Sequence, residues 1–137
     1  MYRLREHTAD VAVEARADSL GGVMAAVADG MAAAMCEGWP DAGDRFEVAV
    51  TAESKEALLF DYLDELIYER DVRGVLPVDN EATVDEPDDT GRWRLAGSAR
   101  GVPVSAIDAR EIKAVTYSQM RLEETEDRWE AYVVLDV

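Results

Sequence analysis

Three residue types that often build functional sites are nearly absent from this chain. It has one histidine, His7, one cysteine, Cys36, and two lysines, Lys55 and Lys113. A single histidine excludes multi-histidine zinc sites such as His-Glu-x-x-His. A single cysteine excludes an internal disulfide and is typical of a reducing cytoplasm, where we expect the protein. Because Cys36 ends a helical pattern, a buried and inert thiol is favoured over a nucleophile.

Positive charge is also scarce. Fourteen Lys and Arg stand against 30 Asp and Glu, which gives a formal net charge of −16 over 137 residues. Nucleic-acid binders neutralise phosphates with clustered Lys and Arg, and no such cluster occurs here, so we expect no direct binding of RNA or DNA. With 48% hydrophobic residues, the chain is globular and not a disordered acidic tail. Such an excess of acidic over basic residues is typical of proteins from salt-accumulating halophiles, and an ordinary acidic protein is the alternative.

Long apolar runs and nucleotide-binding loops are missing as well. No apolar run approaches membrane-spanning length, so we expect no membrane partner. The opening Met-Tyr-Arg-Leu-Arg-Glu lacks the apolar segment of a signal peptide. Neither a Walker loop nor a Gly-x-Gly-x-x-Gly motif occurs. The length predicts one domain over residues 1–137.

Two segments have helical periodicity. Ser19 is a plausible N-cap of the first helix, which Gly38 and Pro40 end. The second helix follows Ser54 and runs to about Arg70. Their apolar faces, predicted to lie in the core, are formed by Leu20, Val23, Met24, Val27, Met31 and Met35 in the first helix, and by Leu58, Leu59, Tyr62, Leu63, Leu66 and Ile67 in the second.

The remaining segments are predicted to be strands, most of them alternating with period two. They cover residues 2–6, 10–17, 45–51, 72–79, 81–86, 92–100, 111–123 and 129–137. Consecutive strands at the end of the chain favour hairpins. The expected fold class is therefore α+β: a mixed, mainly antiparallel β-sheet with two α-helices packed on one side.

Carboxylates gather at the ends of two predicted strands. The last strand ends on Asp136 and on Val137, whose α-carboxylate is a second anionic group. Asp10 opens another strand, on the parity opposite to Val11 and Val13. If the two strands are neighbours, three carboxylates converge, and oxygen-only ligation suits Ca²⁺, Mg²⁺ or Mn²⁺. The alternative is a turn-capping Asp10 and a solvated C-terminus.

Four motifs, in order along almost the whole chain, resemble those of the archease family. They are His7-Thr8-Ala9-Asp10, the helix signature Leu-Leu-Phe-Asp-Tyr-Leu-Asp-Glu-Leu at 58–66, the segment Glu-Ile-Lys-Ala-Val-Thr-Tyr at 111–117, and the terminal Asp136-Val137. The chain departs from the family pattern at Ser118, where a histidine is common. Imidazole chemistry is therefore excluded at that position.

The resemblance implies an archease-like fold and an accessory protein that is not itself an enzyme. Archeases activate the GTP- and Mn²⁺-dependent RtcB-type RNA ligase of tRNA splicing by promoting its guanylylation and its multiple turnover. The resemblance also implies a metal site formed by Asp10, Asp136 and the Val137 carboxylate. Ca²⁺ is the first choice for this site, with Mn²⁺ or Mg²⁺ as alternatives. Lys113 aligns with a lysine regarded as functionally important in the family.

The residues themselves leave several roles open. Lys113 is a candidate for a phosphate or carboxylate contact, or for a simple ion pair with a neighbouring acid. His7 is expected to orient Asp10 by a hydrogen bond rather than to ligate metal. Two other functions remain in consideration. One is a small metal-dependent hydrolase or nucleotide-processing enzyme using the same carboxylates, and the other is a chaperone-like binding module.

Overall fold

The computed structural model describes residues 1–7, 10–107 and 116–136, and within these ranges it has seven strands, two α-helices and one short 3-10 helix. The strands are β1 (Tyr2–His7), β2 (Asp10–Ala17), β3 (Asp44–Ala52), β4 (Val75–Asp85), β5 (Trp93–Pro103), β6 (Thr116–Glu124) and β7 (Trp129–Asp136). The helices are α1 (Leu20–Met35), α2 (Lys55–Arg73) and the 3-10 turn Val104–Ala106.

The strands pair in two antiparallel sheets. One has the order β1-β2-β7-β6 and the other the order β3-β5-β4. The predicted α+β class and the antiparallel pairing are confirmed. The division into two sheets was not predicted, because it depends on the long-range pairs β2–β7 and β3–β5 and not on local hairpins.

The region after α2 differs from the prediction. Residues 72–79 and 81–86 were expected to form two strands, whereas β4 is one strand with a bulge between Val78 and Glu81. Asp79 adopts a positive φ of 48° at this bulge. Helix α2 continues to Arg73 and ends at Gly74, whose left-handed conformation (φ 65°) lets its N–H donate to the Arg70 carbonyl. The described chain therefore has four strands after α2, not five.

The predicted N-cap at Ser19 and the predicted helix start after Ser54 are confirmed. The hydroxyl of Ser19 accepts a hydrogen bond from the Gly22 N–H at 3.0 Å, and that of Ser54 accepts one from the Ala57 N–H at 3.1 Å. Each bond satisfies one of the backbone donors that the first turn of a helix leaves unpaired. Serine at these two positions therefore sets where the helices begin.

Each helix packs against both sheets. Helix α1 contacts β1, β2 and β7 of the first sheet and β4 of the second, and α2 contacts β3, β4 and β5 together with β6. At Gly21 a Cβ atom would lie 2.4 Å from the Ala82 carbonyl oxygen, so only glycine allows α1 to approach β4 this closely. One core cluster consequently joins the helices to both sheets.

The predicted helix faces are buried in this core. The methionine side chains of α1 are core residues, with Met24 fully buried, and Leu58, Leu59 and Leu63 of α2 are inaccessible to solvent. Cys36 is also buried, as predicted, and its thiol donates to the Gly38 carbonyl at 3.1 Å. Neither α-helix has the length and apolar content that crossing a membrane requires.

Candidate functional site

A row of backbone pairs crosses one end of the four-stranded sheet. Asp10 of β2 is the Cα partner of Asp136 of β7. On the outer sides, His7 of β1 pairs with Asp10, and Thr116 of β6 pairs with Asp136. We call these four residues the row; in their order across the sheet they are His7, Asp10, Asp136 and Thr116. Thr116 was not predicted as a member, because its position depends on the β6–β7 register.

Apolar pairing sets this register. Val11 lies opposite Leu135, and Val13 opposite Val133, on the parity that faces the core. A slip by one residue would turn these side chains out of the core, so burial specifies the pairing strongly. Asp10 and Asp136 must then meet at the next position along both strands.

The structure describes the candidate residues to different extents. The side chain of Asp136 is exposed to solvent. His7 and Asp10 are placed by their backbone pairing alone. Lys113 and Val137, together with residues 8–9 and the rest of 108–115, lie outside the described residues. The row brings together two of the three predicted ligand residues and the histidine expected to orient one of them.

A polar cavity of about 360 Å³ opens along this sheet towards the end opposite the row. Arg16 and Glu130 form an ion pair across it at 3.8 Å. The guanidinium of Arg121 lies 5.1 Å from the ring centroid of Tyr132. Since Arg16 pairs with an acid and Arg121 lies over an aromatic ring, both arginines of this cavity already have partners within the protein.

Among the side chains that the structure describes, no group of three or more His, Cys, Asp and Glu residues is placed to hold a metal ion. In the acidic loop between β4 and β5, the Asp88 carboxylate accepts a hydrogen bond from the Thr90 N–H at 2.8 Å. At the sheet end, two acids, Asp10 and Asp136, are paired in the row.

A second polar group lies between α1 and β4. One carboxylate oxygen of Asp29 accepts hydrogen bonds from the Asn80 backbone N–H at 2.9 Å and from Asn80 Nδ2 at 2.8 Å. Burial raises the pKa of Asp29, and the Asn80 hydrogen bonds act in the opposite direction. Nearby, burial raises the pKa of Tyr62, and the Asp29 charge adds to this effect. This group ties α1 to the bulge of β4 and is structural.

The comparisons with known proteins agree with the resemblance. Residues 2–137 match the model of the Archease protein family (MTH1598/TM1083). Protein archease of Methanosarcina acetivorans is 35% identical over 141 residues, covering 99% of this chain and 95% of the relative. Protein archease of Pyrococcus furiosus is 31% identical over 137 residues, covering 96% and 95%.

Two solved structures share the fold. The solution structure of Methanobacterium thermoautotrophicum protein 1598 matches with a TM-score of 0.79 and 28% identity, over 99% of this chain and 98% of that one. The crystal structure of a Thermotoga maritima archease, described as a possible chaperone, matches with a TM-score of 0.54 and 18% identity, over 100% and 98%. The family model spans nearly every residue, and the chain belongs to the archease family.

Proposed function

We propose that the chain is a metal-binding accessory protein that activates a GTP-dependent RtcB-type RNA ligase in tRNA splicing. It promotes guanylylation of the ligase and its repeated turnover, and it carries out no chemistry of its own. The observation that supports this proposal most is the pairing of Asp10 with Asp136 in a chain of the archease family.

The donor set suits a hard divalent cation. Directly opposite residues of an antiparallel pair have Cα atoms about 4.5–5.5 Å apart, close enough for two carboxylates to share one ion. Like charges at such a spacing disfavour each other unless a cation neutralises them. Asp10, Asp136 and the Val137 α-carboxylate would hold the ion, and the exposure of Asp136 leaves room for water ligands. We propose Ca²⁺ first, with Mn²⁺ or Mg²⁺ as alternatives.

Two further residues are assigned to activation in this proposal. Lys113 precedes Thr116 of the row by three positions and would contact a phosphate or carboxylate of the ligase centre. His7 is the backbone partner of Asp10 and would orient its carboxylate by a hydrogen bond. The partner is the ligase and not its RNA, because a chain of net charge −16 without a basic cluster repels phosphates. We place this role in the cytoplasm.

The direct test is multiple-turnover RNA ligation in molar KCl with the ligase from the same source. We expect more than one product per ligase only when this protein is present. Equal turnover with and without an equimolar amount of the protein would refute the activator role. Nucleotide turnover by the protein alone would instead support the hydrolase alternative, provided that Asp10→Ala abolishes it.

A chaperone-like binding role is the second candidate. The likeness to the Thermotoga maritima protein carries the fold alone, so this candidate rests on the large apolar side chains that α2 exposes, such as Tyr68 and Val72. Suppression of aggregation of several unrelated unfolding proteins would support it. Activation of the ligase without any such suppression would exclude it.

A further inference from the structure

The solvent side of α2 carries a stripe of large apolar residues. Phe60, Tyr68 and Val72 are 47%, 57% and 63% exposed. Among the side chains whose exposure the structure describes, they make up three of the five exposed large hydrophobic ones, the others being Met1 and Leu4. At 3.6 residues per turn, all three fall within one half of the helix surface. Exposed apolar groups gathered in this way mark interaction sites in soluble proteins.

Acidic side chains surround this stripe. The same half of α2 carries five carboxylates and no basic residue, and these acids are Asp61, Asp64, Glu65, Glu69 and Asp71. Within the described parts of the chain, neither Asp61 nor Asp64 forms an ion pair. Burial raises the pKa of Glu65, and its neighbour Glu69 adds to this effect. Acidic side chains therefore lie both before and after Tyr68 along the helix.

The arginines of α2 are turned towards the protein body. Arg70 Nη1 lies 3.5 Å from the sulfur of Met35 in α1. The guanidinium of Arg73 lies 4.6 Å from the ring centroid of Phe46 in β3. Both also pair with acids at the edge of the stripe, Arg70 with Asp71 and Arg73 with Glu69. Arginines therefore neutralise carboxylates only in the last turns of α2. The exposed carboxylates of Asp61 and Asp64 have no basic partner among the described residues.

Charge complementarity selects the occupant of this face. Nucleic acid and anionic membranes carry the same sign as Asp61 and Asp64, which are unpaired among the described residues, and are repelled. A second copy of the chain docked by the same face would bring two such acidic rims together. We propose that the solvent face of α2, centred on Tyr68 and Val72, docks a basic protein surface with an apolar centre and a rim of Lys and Arg. The inference rests on the proposed function, because within it that surface belongs to the ligase.

This face and the row at the sheet end have separate tasks. The row consists of β-strand residues, and none of its members lies on α2. At molar salt the Debye length is about 3 Å, so the acidic residues around the stripe act only through close contacts with the partner. The apolar stripe therefore supplies most of the affinity. Variants of α2 should therefore weaken docking and leave activation intact once the ligase is saturated.

The test measures the Kd of the purified ligase for this protein in molar KCl, alongside multiple-turnover ligation. The double variant Tyr68→Ala/Val72→Ala is expected to raise the Kd by about tenfold or more, as truncation of a central aromatic anchor does. A second double variant, Asp61→Lys/Asp64→Lys, is expected to raise it as well. Leu4→Ala is the matched control, because it removes an exposed apolar side chain from β1, and it should change the Kd less than twofold. Circular dichroism confirms that each variant is folded.

The outcomes separate this inference from the proposed function. If both α2 variants bind as tightly as the native chain while the native chain activates the ligase, the docking inference is overturned and the function stands. If the native chain binds through this face but does not raise turnover, the function fails and the docking stands. If the native chain neither binds nor activates, both fail. Self-association that both α2 variants abolish, seen by light scattering, would identify a second copy as the occupant and overturn the inference.

Discussion

Replacing Tyr62 with phenylalanine should make the protein more stable. Tyr62 of α2 is fully buried, and its hydroxyl oxygen has no hydrogen-bond partner among the residues that the structure describes. A buried polar group left unpaired costs about 1–3 kcal/mol, and phenylalanine removes that group while keeping the ring in the core. Part of the gain is offset by the small space that the lost oxygen leaves. We expect the free energy of unfolding to rise by about 1 kcal/mol.

The assay is urea unfolding of Tyr62→Phe and the native chain in molar KCl, supported by thermal unfolding. For 137 residues, a gain of about 1 kcal/mol raises the Tm by about 3–4 °C. Tyr68→Phe is the matched control. Its side chain is 57% exposed, so we expect a change within about 0.5 kcal/mol. A loss of about 1 kcal/mol or more in Tyr62→Phe would refute the reasoning, because it would mean that the hydroxyl has a partner.

The other predictions concern pH, a buried hydrogen bond and a close backbone contact. Because burial raises the pKa of Tyr62, the unfolded chain loses the hydroxyl proton at a lower pH than the folded chain does. Stability should therefore fall once the pH passes about 10, and the fall should be smaller in Tyr62→Phe. Asp29→Asn keeps an oxygen acceptor for Asn80 and removes a partly buried charge, so it should be at least as stable as the native chain at pH 7, whereas Asp29→Ala should lose about 1–3 kcal/mol. Because the pKa of Asp29 is raised in the folded state, any gain in stability of Asp29→Asn should be present at neutral pH and be lost once the pH falls below the ordinary value of 3.8. A gain in stability that persisted below this pH would contradict the assigned cause. Gly21→Ala should lower the free energy of unfolding by about 1–3 kcal/mol, because the added Cβ collides with the Ala82 backbone, whereas Gly38→Ala, with nothing within 4 Å of its Cβ, should not. Equal stability of the two variants would show that the backbone shifts to accommodate the Cβ at position 21.

Local chemistry made much of the fold predictable. The caps at Ser19 and Ser54 act over three residues, and the apolar parity of β2 and β7 follows from burial on one face. The single strand β4 was predicted as two strands, 72–79 and 81–86, because a bulge interrupts the alternation by which a strand is recognised although the strand continues beyond it. The role of Gly21 was not predictable either, since the reason for it, the Ala82 carbonyl, is distant in the sequence.

The candidate site was predictable only in part. The positions of Asp10 and Asp136 at strand ends can be read from parity, but their meeting depends on a pairing across almost the whole chain. The same limit explains why Thr116 was not included in the row. The metal ligation by Val137 and the role of Lys113 remain predictions. The exposed Tyr68 of α2 was not predicted as part of a binding surface.

In the proposed function, the carboxylates of the row hold the cation through which the protein activates the ligase. The most direct measurement is multiple-turnover ligation with the native chain, with Asp136→Asn and with Glu130→Gln. Glu130 lies on the same strand, is 43% exposed and pairs with Arg16, so its variant removes one charge without touching the row. We expect Glu130→Gln to support turnover like the native chain, and Asp136→Asn to reduce it to one product per ligase. Full activation by Asp136→Asn would contradict the claim.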